Sequence, residues 1–312
     1  MAERSYDPEL APVVPLLPTG FAMHDPEEMR RQVLGLREPL DTDPALPDVI
    51  WTDRMIPGPP GSPDVAVRVY RPEATGTLPA VVEIHGGGFV AGTVDMVHPL
   101  SVAFARRAEA VVVSVEYRRA PEHRFPAALD DCYAALEWTS AAAGELGVDR
   151  SRVAIIGQSA GAGLAAAVAL RARDRNGPPL CLQVLEIPEL DDRLETVSMR
   201  ELTETPVWSR ANAEWSWRHY LGPDITEVSP YAAPARAEDL TGLPSAYVST
   251  MEYDPLRDEG IIYALRLLQA GVTVELHSFP GTFHASALID SAVSRRAADE
   301  VIGALRRAFQ AL

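Results

Sequence analysis

The sequence predicts an α/β fold: a mostly parallel central sheet of about eight strands with helices on both faces and a helical cap. Three observations carry this. After residue 49, short apolar runs alternate with helix-length segments, which is the pattern of strands joined by helical crossovers. The inner runs PAVVEIHG and AVVVSVEY are continuously apolar, as strands covered on both faces must be. Residues 188–240 then break the alternation. That stretch carries Trp208, Trp215, Trp217 and Tyr220, so it suits a cover over the sheet's carboxyl edge.

Each element has its own signal. The first 45 residues alternate Pro-rich stretches with one expected helix, DPEEMRRQVLGLRE, capped by Asp25 with Pro26 at its first position. VIWTDRMI and VAVRVYRP read as half-exposed strands, and PAVVEIHG as a buried one. A helix near 97–109, the strand AVVVSVEY and the long helix PAALDDCYAALEWTSAAAGEL follow. Next come the strand RVAIIG, a long helix after Ser159 and the strand LCLQVLEIP. Beyond the strandless stretch lie the strand SAYVST, the helix LRDEGIIYALRLLQAG, the strand VTVELHSF and a terminal helix from about 287. The expected organisation is an N-terminal cap segment (1–45), a core from 46–187 and 241–312, and a cap insertion (188–240).

Composition narrows the function. With 312 residues and 47% hydrophobic content, the chain can bury a sizeable core. A formal net charge of −16 argues against nucleic acid and anionic membranes, since either needs a positive patch. All 28 basic residues are Arg, which removes lysine chemistry. The two cysteines fall in an expected helix (Cys132) and strand (Cys181), not in a disulfide framework. The opening MAERSYDPEL lacks the order of a signal peptide, and no apolar run approaches the roughly 18 residues of a membrane span. The expectation is a cytoplasmic protein without integral membrane association, with a homodimer as the candidate assembly.

The stretch RVAIIGQSAGAGLAAAVAL poses the functional question. Gly157, Ser159 and Gly161 form G-x-S-x-G, a nucleophile turn, while Gly161, Gly163 and Ala166 form G-x-G-x-x-A, a dinucleotide fingerprint with Glu186 as its ribose acid. The nucleotide reading is the weaker one. Such a fingerprint usually opens its domain, and the short-chain dehydrogenases that share its spacing need a lysine this chain lacks. G-x-S-x-G alone would arise by chance about 0.1 times per chain, but the run His85-Gly86-Gly87-Gly88-Phe89 only about 0.002 times. A triple-glycine loop at the same sheet edge can aim backbone N–H groups at an oxyanion, together with the residue after the nucleophile, Ala160. A serine nucleophile also needs a base and an orienting acid. His284 follows the last strand in a loop and is favoured over His277 inside that strand. Asp254 lies just past SAYVST and is favoured over its neighbour Glu252.

These pieces jointly resemble the bacterial hormone-sensitive-lipase family of α/β-hydrolases. The matching segments are HGGGF (85–89), YRRAPEHRFPAALDD (117–131), GQSAGAG (157–163), YDPLRDEG (253–260) and FPGTFH (279–284), in the family's order. The resemblance implies a triad of Ser159, Asp254 and His284, with an oxyanion hole from the N–H groups of Gly87, Gly88 and Ala160. It implies that His85, with Gly86, organises the loop and is not the base. Gln158 stands where the family usually has Asp, Ala162 replaces a Gly, and Arg119 an apolar residue.

The expected reaction is hydrolysis of a small carboxylic ester by Ser159, needing neither metal nor organic cofactor. Trp208, Trp215 and Tyr220, read as one broad helix face, with Phe89, form the expected substrate pocket, and their bulk favours short- to medium-chain acyl groups. The alternatives are a lactonase, amidase or dehydratase using the same parts, or a non-catalytic small-molecule receptor on the same fold.

Overall fold

The computed structural model describes residues 5–35 and 48–311, so part of the expected N-terminal cap segment, residues 1–4 and 36–45, lies outside the described residues. Helix α1 (Pro26–Gly35) begins where the sequence places it, and Asp25 Oδ1 accepts the N–H groups of Glu27 and Glu28. Strands β1 (Val49–Ile56), β2 (Val65–Pro72) and β3 (Leu78–Ile84) follow, then α2 (His98–Ala108) and β4 (Val111–Glu116). The long helix expected next is broken at Ala142 into α3 (Ala127–Ala141) and α4 (Ala143–Leu146). After them come β5 (Val148–Gln158), α5 (Ala160–Asp174) and β6 (Leu182–Glu186). Within 188–240 lie α6 (Val197–Glu201) and α7 (Arg210–Leu221), then β7 (Ala246–Met251), α8 (Arg257–Gln269), β8 (Val274–Phe279) and α9 (Ala292–Gln310). The last helix starts later than expected because Ser286–Leu288 forms a separate 3-10 turn, and Ser291 Oγ caps α9 by accepting the Ser294 N–H.

The eight strands form one sheet in the order β1-β2-β4-β3-β5-β6-β7-β8. Strand β2 runs antiparallel to both its neighbours and the other pairings are parallel. Burial follows position: β1 at the edge is largely exposed, whereas every residue of β3 and β7 is buried. Helices α2 and α9 cover one face, with Phe104, Val301 and Leu305 packed on Val81, Val112, Ile156 and Val184. Helices α3, α5 and α8 contribute Leu129, Val168 and Leu267 to the core on the other face. In a parallel sheet the carboxyl ends of β3, β5, β6 and β7 open at one edge, and the loops after them meet there. Among the described residues no helix is long and apolar enough to cross a membrane.

The N-terminal segment and residues 188–240 are tied to each other. Asn212 exchanges hydrogen bonds with the backbone of Phe21, His219 Nε2 bonds the Met23 carbonyl at 2.8 Å, and the Val207 N–H donates to the Pro18 carbonyl. Arg30 of α1 then reaches the loop after β3, donating to the Val90 carbonyl at 2.9 Å while pairing with Glu122.

Candidate active site

Ser159 sits between β5 and α5 with φ 55° and ψ −121°, a strained turn that a non-glycine residue adopts only when its surroundings hold it. The restraints are visible. Its N–H donates to the Glu186 carbonyl at 2.9 Å, and its carbonyl accepts from Ala162, Gly163 and Glu189. Strand and helix come so close that a Cβ on Gly161 would lie 2.2 Å from the Ile84 carbonyl oxygen. A Cβ on Gly163 would likewise meet the Glu189 carbonyl oxygen at 2.2 Å. The glycines of the dinucleotide pattern are therefore consumed by protein packing, and Glu186 is engaged by Gln158, whose Nε2 donates to Oε2 at 3.0 Å.

The glycine loop lies against this turn. A Cβ on Gly86 would stand 2.8 Å from the Gln158 carbonyl oxygen and 3.4 Å from Ser159 Cβ. Gly87 has φ +120°, with its Cβ position blocked by the Ala91 carbonyl, so its backbone turn belongs to glycine. Ala160 opens α5, where the helix provides no acceptor for its N–H and the helix dipole favours negative charge. His85 is fully buried, stacked on Tyr117 at 4.2 Å, with Nδ1 bonded to the Gly86 carbonyl at 2.8 Å. Burial depresses its pKa to about 4, so it stays neutral and braces the loop.

On the far side of the edge, His284 Nδ1 is 2.7 Å from Asp254 Oδ2, and Asp254 Oδ1 accepts the Leu256 N–H at 2.9 Å. Both rival residues are committed elsewhere. Glu252 Oε2 accepts the Gly281 N–H at 2.6 Å, fastening the loop that carries His284. His277 packs on Tyr247 and bonds Glu275 at 2.9 Å, facing the α9 side through Arg307. Glu275, His277 and Glu300 bring ligand-type atoms within 4.8 Å of one another there.

Trp208 closes the ring of contacts. Its indole stacks on His284 with centroids 5.5 Å apart, and its rim would lie 2.8 Å from a Cβ on Gly88. The expected single aromatic helix face needs correction. Ser209 caps α7, so Trp208 belongs to the turn before the helix. Trp215 instead packs between His24 and His219 beneath the Arg218 guanidinium. Tyr220 stacks on Phe89 at 3.9 Å, where Trp217, not among the expected pocket residues, joins them. The seven- and five-residue spacings could not reveal this because the capping box at Ser209 and Asn212 sets where the helix starts.

Sheet topology, glycine loop and strained serine turn together define an α/β hydrolase. The α/β hydrolase fold family matches residues 81–288, and the chain belongs to it. Its place within that family is the hormone-sensitive-lipase-like group of carboxylic ester hydrolases, as the motifs imply. The carboxylesterase NlhH of Mycobacterium tuberculosis is 40% identical over 321 residues, spanning 100% of this chain and 98% of that relative. An arylesterase of Saccharolobus solfataricus is 35% identical over 78% of each chain. The solved structure of a bacterial heroin esterase superimposes with a TM-score of 0.95 at 52% identity, covering 98% of both chains.

Proposed function

We propose that the protein hydrolyses short- to medium-chain carboxylic esters through an acyl-enzyme on Ser159. The observation that carries this reading is the His284–Asp254 pair at 2.7 Å, set across the same sheet edge from a serine held at φ 55°. Asp254 fixes the imidazole so that Nε2 is free to take the Ser159 proton, and the serine Oγ attacks the ester carbonyl. Negative charge developing on the carbonyl oxygen is met by N–H groups of Gly87, Gly88 and Ala160. The alcohol leaves with the proton from His284, and water repeats the cycle on the acyl-enzyme. The N-terminal segment and residues 188–240 act as one cap, supported by the Asn212–Phe21 and His219–Met23 bonds.

A panel of p-nitrophenyl esters from acetate to palmitate tests the reading. Each buried methylene contributes about 0.8 kcal/mol until the pocket is full, and Trp208 limits that volume, so the optimum in kcat/KM falls at about four to six carbons. An optimum at about twelve carbons or more, or activity confined to lactones or amides, contradicts it.

A further inference from the structure

Glu189 lies just beyond β6, and no sequence motif marks it. Its backbone N–H donates to the Ser159 carbonyl at 3.1 Å, and its side chain is 0% exposed. Neither carboxyl oxygen has a well-formed hydrogen bond to another described residue, although the Ser216 hydroxyl stands beside the carboxyl. Ser216 is itself fully buried on the inner side of α7, and its Oγ donates to the Gly88 carbonyl at 3.1 Å. The Ser216 proton is thus spent on the glycine loop, which leaves its oxygen as an acceptor facing Glu189. A buried carboxylate without donors is costly, whereas a carboxylic acid can place its own O–H on that oxygen.

We propose that Glu189 is a positioning residue for the glycine loop: its carboxyl O–H donates to Ser216 Oγ, and Ser216 in turn holds the carbonyl of Gly88. The relay couples α7 to the backbone that aims the oxyanion N–H groups, and it rests on reading that loop as the oxyanion hole. Burial raises the Glu189 carboxyl to about 8, Asp254 pushes in the same direction, and Ser216 acts against them. The other acid facing it is Glu259 of α8, which accepts the Leu190 N–H and is itself raised by burial, with Asp191 adding to the effect. Asp254 and Glu259 are both acidic, so each resists a further negative charge on Glu189. Above about pH 8 the ionised Glu189 loses the proton it gives Ser216 and sets a charge beside the place where the oxyanion forms.

The test is kcat and KM against pH for the wild type, Glu189→Gln, Glu189→Ala, Ser216→Ala and Ser159→Ala. The relay predicts that wild-type kcat falls above about pH 8, where Glu189 ionises. Glu189→Gln, whose amide can donate to Ser216 and cannot ionise, loses that alkaline fall. Glu189→Ala and Ser216→Ala lower kcat about tenfold with little change in KM, a fraction of the 100-fold or greater loss on removing an oxyanion donor outright, and Gln rescues the former. An unchanged alkaline limb in Glu189→Gln, or wild-type kcat in Ser216→Ala, overturns the relay. Should Glu189→Ala fail to fold, the isosteric Gln profile and the Ser216 variant still decide. If Ser159→Ala stays active, the underlying site reading fails; if it is inactive while Glu189→Gln keeps the wild-type profile, only the relay fails.

Discussion

His284 Nδ1 lies 2.7 Å from Asp254 Oδ2, and both side chains are buried, His284 at 4% exposure and Asp254 at 0%. In the proposed mechanism this contact keeps a proton on Nδ1 toward Asp254 and leaves the Nε2 lone pair for the serine. Asp254→Asn would offer an N–H where the imidazole needs an acceptor. Its kcat is expected to fall by about 10⁴ with modest change in KM, read from steady-state kinetics on a short-chain ester. A loss under about tenfold assigns the orienting role to another group.

Trp208 spans His284 and Gly88, whereas Trp215 packs among His24, His219 and Arg218. The two substitutions therefore separate. Trp208→Ala opens volume over the imidazole and shifts the acyl-chain optimum upward by about two or more carbons, while Trp215→Ala leaves it near the wild type. The chain-length profile measures this directly. Equal shifts in both variants, or none in Trp208→Ala, remove Trp208 as the limit on acyl length.

Gln158 replaces the acid usual in this motif, and its partner explains why an amide serves here. Its Nε2 donates to Glu186, whose pKa burial pushes up to about 7 against the pull of that bond. Gln158→Asp would face one acid with another. We expect a loss of about 1–3 kcal/mol at pH 8, smaller at pH 5.5 where Glu186 is protonated, measured by urea unfolding. Equal losses at both values would mean that charge is not the reason for the amide.

Glu83 on β3 is 0% exposed, with the Ser101 hydroxyl as its donor, and burial raises its pKa to about 7. A carboxyl raised above its unfolded value of about 4.3 binds more protons folded than unfolded in the interval between the two pKa values. Its contribution is fully present below about pH 4.3 and is lost as pH rises through about 7. Melting temperature should accordingly drop between pH 5.5 and pH 8, and Glu83→Gln should flatten the drop. A steeper drop in the variant would show that Glu83 is stabilising as a carboxylate.

Much of this was legible in sequence because strand burial and turn chemistry are local. The continuous apolar run of β3 announced a covered strand, and Asp25–Pro26 announced the start of α1. His284 and Asp254 could be chosen because each follows a strand end on the edge where Ser159 stands. What stayed hidden depends on contacts between distant segments, or on where a helix starts and stops. Nothing near Glu189 shows that it lies beside Ser216, and the aromatic spacings could not separate Trp208 from Trp215 without the cap at Ser209. The break at Ala142 was equally invisible, since an alanine-rich run carries no stop signal.

The proposed mechanism stands or falls on Ser159 as the nucleophile of ester hydrolysis. Its most direct test is peptide mapping by mass spectrometry after reaction with a p-nitrophenyl alkylphosphonate, with Ser159→Ala treated in parallel and assayed for esterase activity. The expected result is a single covalent adduct on Ser159, no adduct in the variant, and activity in the variant reduced by about 10³ or more with the fold unchanged. An adduct on another residue, or Ser159→Ala retaining more than about a tenth of the wild-type rate, would contradict it.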